Sequence, residues 1–348
     1  MPYLAPKSRV PGLNSRLVPA EWRWAVWSLV VALLPFAELA ADEVPIHGPT
    51  MGTSYRVKFV MPADKDRAAR IEAEVAAVLR DIDERMSTYR PESEVCRFNR
   101  APANEWFPVS AATAEVVATA LDVSRKTDGA LDITVGPLVR LWHFGPKLPT
   151  DATAAEFSPP SAEALAKARQ FAGYERIEVR PTPPALRKND DRLEIDLSAV
   201  AKGYAVDRVA ELLAERGIAN YLVDVGGEIR AGGQHEDGRP WQIAVERPLT
   251  DRREKQATIP LVDVAVATSG DYRNFFTHAG RRYSHILDPT SGRPVEHSLA
   301  SVTVADPSCA TADAWATALL VLGPTRGFEI AAQQKIAALL LWQESDRF

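Results

Sequence analysis

The sequence predicts an α+β fold in which helices pack on mixed or antiparallel sheets. Strand-like and helix-like segments occur in mixed runs rather than in strict alternation, which argues against a doubly wound parallel sheet. The 348 residues are 46% hydrophobic and 25% charged, the balance of an ordinary globular chain. Gly and Pro fall between the periodic segments and punctuate them.

Each element has a local reason. Residues 54–61 alternate apolar and polar and read as a strand. Residues 64–87 have helical period, with Asp64 as the cap. A second helix covers 110–129 and stops at Gly129. Residues 145–160 are polar and proline-rich and read as a loop, and a short helix over 161–173 runs from Ser161 to Gly173. Residues 176–181 and 192–197 read as two strands of a hairpin around 182–191. A helix over 201–217 closes at Gly217. Strands are expected over 220–233, 241–248, 263–270 and 299–306, then a helix over 309–323 and a last strand over 335–343. No repeat is visible, and no domain boundary falls inside 48–345.

The first forty residues differ. Lys7, Arg9, Arg16 and Arg23 precede an apolar run from Trp24 to Ala41. A basic start, a short apolar core and small residues at Ala40–Ala41 read as an export signal over residues 1–41, with 42–348 as the mature domain. Pro35 and Glu38 interrupt the run, which argues against a full membrane span of roughly 20 residues. An uncleaved N-terminal anchor, with membrane association through it, is the alternative. The expected location is the periplasm. A net charge of -5 and a pI near 5.8, with no basic block, exclude a dominant nucleic-acid footprint. The two cysteines, Cys96 and Cys309, show no zinc spacing and either pair or stay separate.

Several segments carry candidate chemistry. On the apolar helix 309–323, Asp313 and Thr317 stand at i and i+4 and face the same way. They read either as a hard-oxygen pair for a cation or as a cap and a packed threonine. "IDLSAVAKGYAVD" delivers Asp196 and then Lys202 at a helix start, where free N–H groups favour phosphate; the plainer reading is a strand-to-helix corner. Of six histidines, only His285 lies in a dense turn motif, "HILDPTSGRP". It is either a base near neutral pH or an ordinary loop histidine. Asp132, in "DGALDITVGPLVRLW", either helps to hold a planar ring or caps a packed loop. Met51 in "MGT" and Tyr89 in "STYRPESEV" are weaker candidates of the same kind. Gly226–Gly227 in "VDVGGEI" and Thr268–Ser269–Gly270 in "TSGDY" permit close backbone approach or simply end strands.

Taken in order, these segments and "ADAWATAL" resemble the FAD:protein FMN transferase family, also called ApbE, from about Thr50 to the C-terminus. The resemblance implies an exported protein with a T-fold-like core that binds FAD and Mg²⁺. It implies transfer of FMN through a phosphoester to a threonine of an acceptor flavoprotein, with release of AMP. By motif position, Met51, Tyr89, Ala130, Leu131, Asp132, Asp196, Lys202 and Ile286 would line the FAD site. Asp313, Thr317 and the carbonyl of Ala199 would hold the metal, and His285 would act on the acceptor hydroxyl. Some members carry an acid where this chain has Ala316. Mg²⁺-dependent FAD hydrolysis and a non-catalytic FAD-binding accessory role are the competing readings.

Overall fold

The computed structural model describes residues 41–145, 157–249, 252, 254–272 and 274–342. The export segment, apart from Ala41, and most of the loop expected over 145–160 therefore lie outside the described residues. In chain order the elements are β1 (Ala41–Thr50), β2 (Thr53–Pro62), α1 (Lys65–Met86), α2 (Glu94–Arg100), β3 (Phe107–Pro108), α3 (Ala111–Lys126), α4 (Gly136–Leu141) and α5 (Ala162–Arg169). Then come β4 (Ile177–Pro181), β5 (Pro184–Lys188), α6 (Ala201–Glu215), β6 (Tyr221–Val225), β7 (Glu228–Gly232), β8 (Trp241–Glu246), β9 (Lys255–Leu261) and β10 (Val264–Gly270). The chain ends through β11 (Phe275–His278), β12 (Arg281–Ser284), β13 (Leu287–Asp288), β14 (Arg293–Pro294), β15 (Leu299–Asp306), α7 (Cys309–Gln334) and β16 (Ala337–Trp342).

Seven strands form the main sheet in the order β1-β2-β6-β7-β10-β15-β16, with every neighbouring pair antiparallel. This is the α+β architecture that the mixed runs predict. In β2, Tyr55, Val57, Phe59 and Met61 are buried while their neighbours are more exposed, so one face turns to the core. Helices α1, α3, α6 and α7 belong to that main core, and α6 and α7 lie directly against β6, β7, β10 and β15. On the other face Trp241, Ile243 and Leu261 of the β8–β9 hairpin cover Ala231 and Val266.

The helix caps follow the sequence. Asp64 accepts the Arg67 N–H at 2.9 Å, and Ser161 accepts the Ala164 N–H at 3.1 Å. The expected hairpin over 176–197 is corrected. Its second strand is β5, inside the segment expected to be loop, and the turn is Thr182–Pro183. Residues 192–197 join no sheet; only a single parallel bridge links Val135 to Glu194. Pro181 and Pro184 are tolerated because they close the hairpin end, where a missing N–H costs little. Strands 220–233 resolve into β6 and β7, folded back at Gly226–Gly227 with φ of 66° and 104°. The helix expected to end at Gly323 breaks there, with φ 78°, and a further helical stretch follows from Pro324. Cys96 and Cys309 are free thiols. Among the described residues no helix is long and apolar enough to cross a membrane.

Candidate active site

Two helix starts meet beside the sheet, and each is capped by the other helix. At the start of α7, Ser308 accepts the Thr311 N–H, and Asp207 of α6 accepts the Cys309 and Ala310 N–H groups, both at 3.0 Å. Arg230 of β7 balances Asp207 at 2.6 Å. At the start of α6 the cap residue Val200 offers no side-chain acceptor. Asp313 of α7 supplies one instead, accepting the Gly203 N–H at 3.1 Å. The helices approach so closely here that a Cβ on Gly203 would collide with the Cys309 carbonyl. Glycine at 203 is therefore a requirement of the packing that brings Lys202 to Asp313.

Lys202 Nζ is 2.6 Å from Glu228 Oε1 and 3.9 Å from Asp313 Oδ2. Both carboxylates are buried, at 3% and 2% exposure. Burial works against the lysine's charge, but Asp313 and Glu228 outweigh it and hold the ammonium's pKa above its ordinary value. Burial, helped by Glu228, pushes the Asp313 carboxyl up to about 7 against the pull of Lys202 and the Gly203 N–H. Burial also raises Glu228, despite its lysine partner. Two buried carboxylates thus share one ammonium, which leaves the cluster short of positive charge. One turn beyond Asp313, Thr317 Oγ1 lies 2.9 Å from Ser269 Oγ of β10.

These groups line a cleft of about 920 Å³, a volume suited to a large organic ligand. The structure brings Ala199, Lys202, Asp313, Thr317, His285 and Ile286 to its wall, with Ala130, Leu131, Asp132 and Asp196 on the side formed before α4 and α6. Met51 and Tyr89 stand outside that lining. Met51 occupies the β1–β2 turn with φ 46°, an uncommon conformation for its type, and packs on the main core. Tyr89 is 66% exposed and within electrostatic reach of Asp196.

The acids on the wall differ in what they leave free. Asp132 Oδ1 accepts the Thr134 N–H and hydroxyl at 2.8 and 2.6 Å, and Oδ2 accepts the Tyr174 N–H at 3.0 Å. Burial still raises its pKa. The capping reading of Asp132 describes those contacts. Asp196 accepts the Ser198 N–H at 2.9 Å and so shapes the turn carrying the Ala199 carbonyl. His285 Nδ1 lies 2.9 Å from the Asn274 carbonyl. With Nδ1 protonated and donating, Nε2 keeps its lone pair. Burial, with the nearby Lys202 charge, holds the His285 pKa below its ordinary value, so the imidazole is neutral at neutral pH.

The residue that sequence reasoning missed is Glu228. It sits at the first position of β7, directly after the Gly226–Gly227 turn, and its lysine partner is 26 positions away in the chain. An acid opening a strand after a diglycine was the only local signal.

Fold and site together define an α+β protein whose cleft, at a junction of helix starts, gathers Lys202, Glu228, Asp313 and His285. The model of the ApbE family matches residues 51–340, and the chain belongs to that family. A relative from Vibrio cholerae named FAD:protein FMN transferase is 43% identical over 325 residues, 93% of this chain and 95% of its own length. The Escherichia coli K12 relative of the same name is 38% identical over 315 residues, 90% of this chain and 88% of its own. The solved flavin transferase ApbE of Vibrio cholerae superposes with a TM-score of 0.79 at 43% identity, covering 88% of this chain and 95% of that one. The apo flavinyl transferase ApbE of Pseudomonas stutzeri gives 0.78 at 40% identity, covering 88% and 93%.

Proposed function

We infer that the chain is an FAD:protein FMN transferase, a flavin transferase that uses FAD as substrate and modifies an acceptor flavoprotein. The observation that carries this reading is that Lys202, Asp313 and Thr317 line one cleft together with His285. The finer proposals are that Mg²⁺ assists, that the acceptor group is a threonine hydroxyl, and that the protein is exported to the periplasm. The basic-then-apolar N-terminal sequence supports the last of these.

The donor set fits Mg²⁺. Asp313 supplies a charged oxygen, and Thr317 and the Ala199 carbonyl supply neutral ones, all hard donors. The deficit of positive charge around Asp313 suits a cation. When bound, the ion supplies charge neutralisation for pyrophosphate oxygens. The chain's own residues do the rest. Lys202, at the start of α6, attracts the pyrophosphate with its ammonium group. The cleft wall aligns the FMN phosphorus with the incoming hydroxyl oxygen. His285 accepts the hydroxyl proton at Nε2, its Nδ1–H anchored on the Asn274 carbonyl. The threonine oxygen bonds to phosphorus, the anhydride bond to AMP breaks, and AMP leaves with the electron pair.

The test is the intact mass of an acceptor domain incubated with the protein, FAD and Mg²⁺. A gain equal to FMN with AMP released supports the reading. AMP and free FMN without a mass gain would replace it with FAD hydrolysis. Intact FAD would leave an accessory role, with a flavin transferase relative modifying the same acceptor as the control.

A further inference from the structure

Glu228 has one oxygen committed and one idle. Oε1 holds Lys202 Nζ at 2.6 Å, while Oε2 is buried without a hydrogen-bond partner. The idle oxygen lies beside Gly226, where an added Cβ would be 3.5 Å from it. A buried acid is costly, and this one lies at the same cleft as the proposed metal donors. Lys202 Nζ remains 3.9 Å from Asp313 Oδ2, the oxygen already used by the Gly203 N–H. Movement of about 1 Å would complete a direct Lys202–Asp313 ion pair at an ordinary charged hydrogen-bond length.

We propose that Glu228 is a positioning residue that holds Lys202 off Asp313 and thereby keeps the Asp313 carboxylate open to a divalent cation. The inference rests on Asp313 being a metal donor, as proposed above. Without the Glu228 charge, Lys202 closes on Asp313 and competes with the cation for the same carboxylate. Lys202 then also moves away from the position from which it meets phosphate. Glu228 acts through Lys202 and not as a ligand, which is the point the test must separate.

Mg²⁺ alone is titrated calorimetrically into the full chain at pH 8 without FAD, with melting curves recorded for every variant. Glu228→Gln is expected to weaken Mg²⁺ binding by about 10-fold to 100-fold, the usual scale for a residue supporting a metal ligand. Lys202→Met should bind Mg²⁺ at least as tightly as the parent. The double variant, Glu228→Gln with Lys202→Met, should recover the affinity lost by Glu228→Gln, because no lysine remains to be held. A loss that persists in the double variant, or unchanged binding in Glu228→Gln, overturns the proposal. If Glu228→Gln does not fold, weaker binding by Lys202→Met overturns it alone. Parent binding that survives Asp313→Asn removes the metal assignment and this inference together. Binding lost in Asp313→Asn but unaltered in Glu228→Gln removes only this inference.

Discussion

Lys188 and Lys202 each set an ammonium group among oxygens, Lys188 buried among carbonyls and the half-buried Lys202 between carboxylates. Lys188 is 1% exposed and donates to the carbonyls of Asn99, Asp191 and Leu193 at 2.7, 3.0 and 3.0 Å. Its three N–H groups are all used, and burial lowers its pKa. Lys202 sits between two buried acids that raise its pKa. Asp132 and Asp313 differ in the same way. Asp132 has both oxygens occupied by Thr134 and Tyr174, whereas Asp313 receives one backbone N–H and a distant lysine. Burial alone therefore does not mark function. Polar groups with every partner filled hold the fold, and charged groups that share too few partners mark where a charged ligand would be handled.

The largest expected effect is on chemistry at the unsatisfied side. Asp313→Asn keeps an acceptor for the Gly203 N–H but removes the charge, and should lower FMN transfer by about 10³-fold or more. Intact-mass time courses check this, and substantial remaining transfer would place the metal elsewhere. His285→Ala should cost about 10²–10⁴ in rate, the usual worth of a positioned base. For the parent at saturating Mg²⁺, which keeps Asp313 ionised, the acid limb of the pH–rate profile should lie below the ordinary histidine value of 6.5, because burial lowers the His285 pKa.

The satisfied side should fail in stability instead. Lys188→Met strands buried carbonyls and should cost about 3 kcal/mol or more, at about 1–3 for each unsatisfied group. Denaturant melts would measure it, and added Mg²⁺ should not restore it. Lys202→Met, in contrast, should be stabilised by Mg²⁺ more than the parent, because no ammonium remains beside Asp313 to compete with the ion. Gly203→Ala forces a Cβ against the Cys309 carbonyl and should cost about 1–3 kcal/mol. Equal stabilisation of the two lysine variants by Mg²⁺ would erase the contrast between them.

The contrast also has a signature in pH. Asp313 has a folded pKa of about 7 against an unfolded value near 3.8, so in that window the folded state holds a proton the unfolded state has lost. Metal-free stability should therefore fall as pH rises from about 4 to about 7. The rise in melting temperature on adding Mg²⁺ should grow over the same window, since the cation needs the ionised carboxylate. A pH-independent Mg²⁺ effect would contradict the placement of the ion at Asp313.

Local signals carried much of this fold and part of the site. Asp64 and Ser161 were legible because a cap bonds within three residues. Asp313 and Thr317 were legible because helical spacing alone puts them on one face. Strand β5 was hidden by Pro181, Pro183 and Pro184, which look like a break but close a hairpin. Strand β1 and the short strands β11 to β14 carry too few alternating residues to stand out. Glu228 was hidden because its meaning depends on Lys202, and no periodicity links α6 to β7. The unused charge of Asp313 and the used charge of Asp132 likewise look alike in sequence, since hydrogen-bond partners supplied by folding distinguish them.

One measurement tests the central contrast most directly: calorimetric titration of Mg²⁺ into the parent, Asp313→Asn and Asp132→Asn at pH 8. The expected result is one binding event in the parent, absent in Asp313→Asn and retained in Asp132→Asn. Binding that survives in Asp313→Asn but is lost in Asp132→Asn would reverse the roles assigned to the two acids.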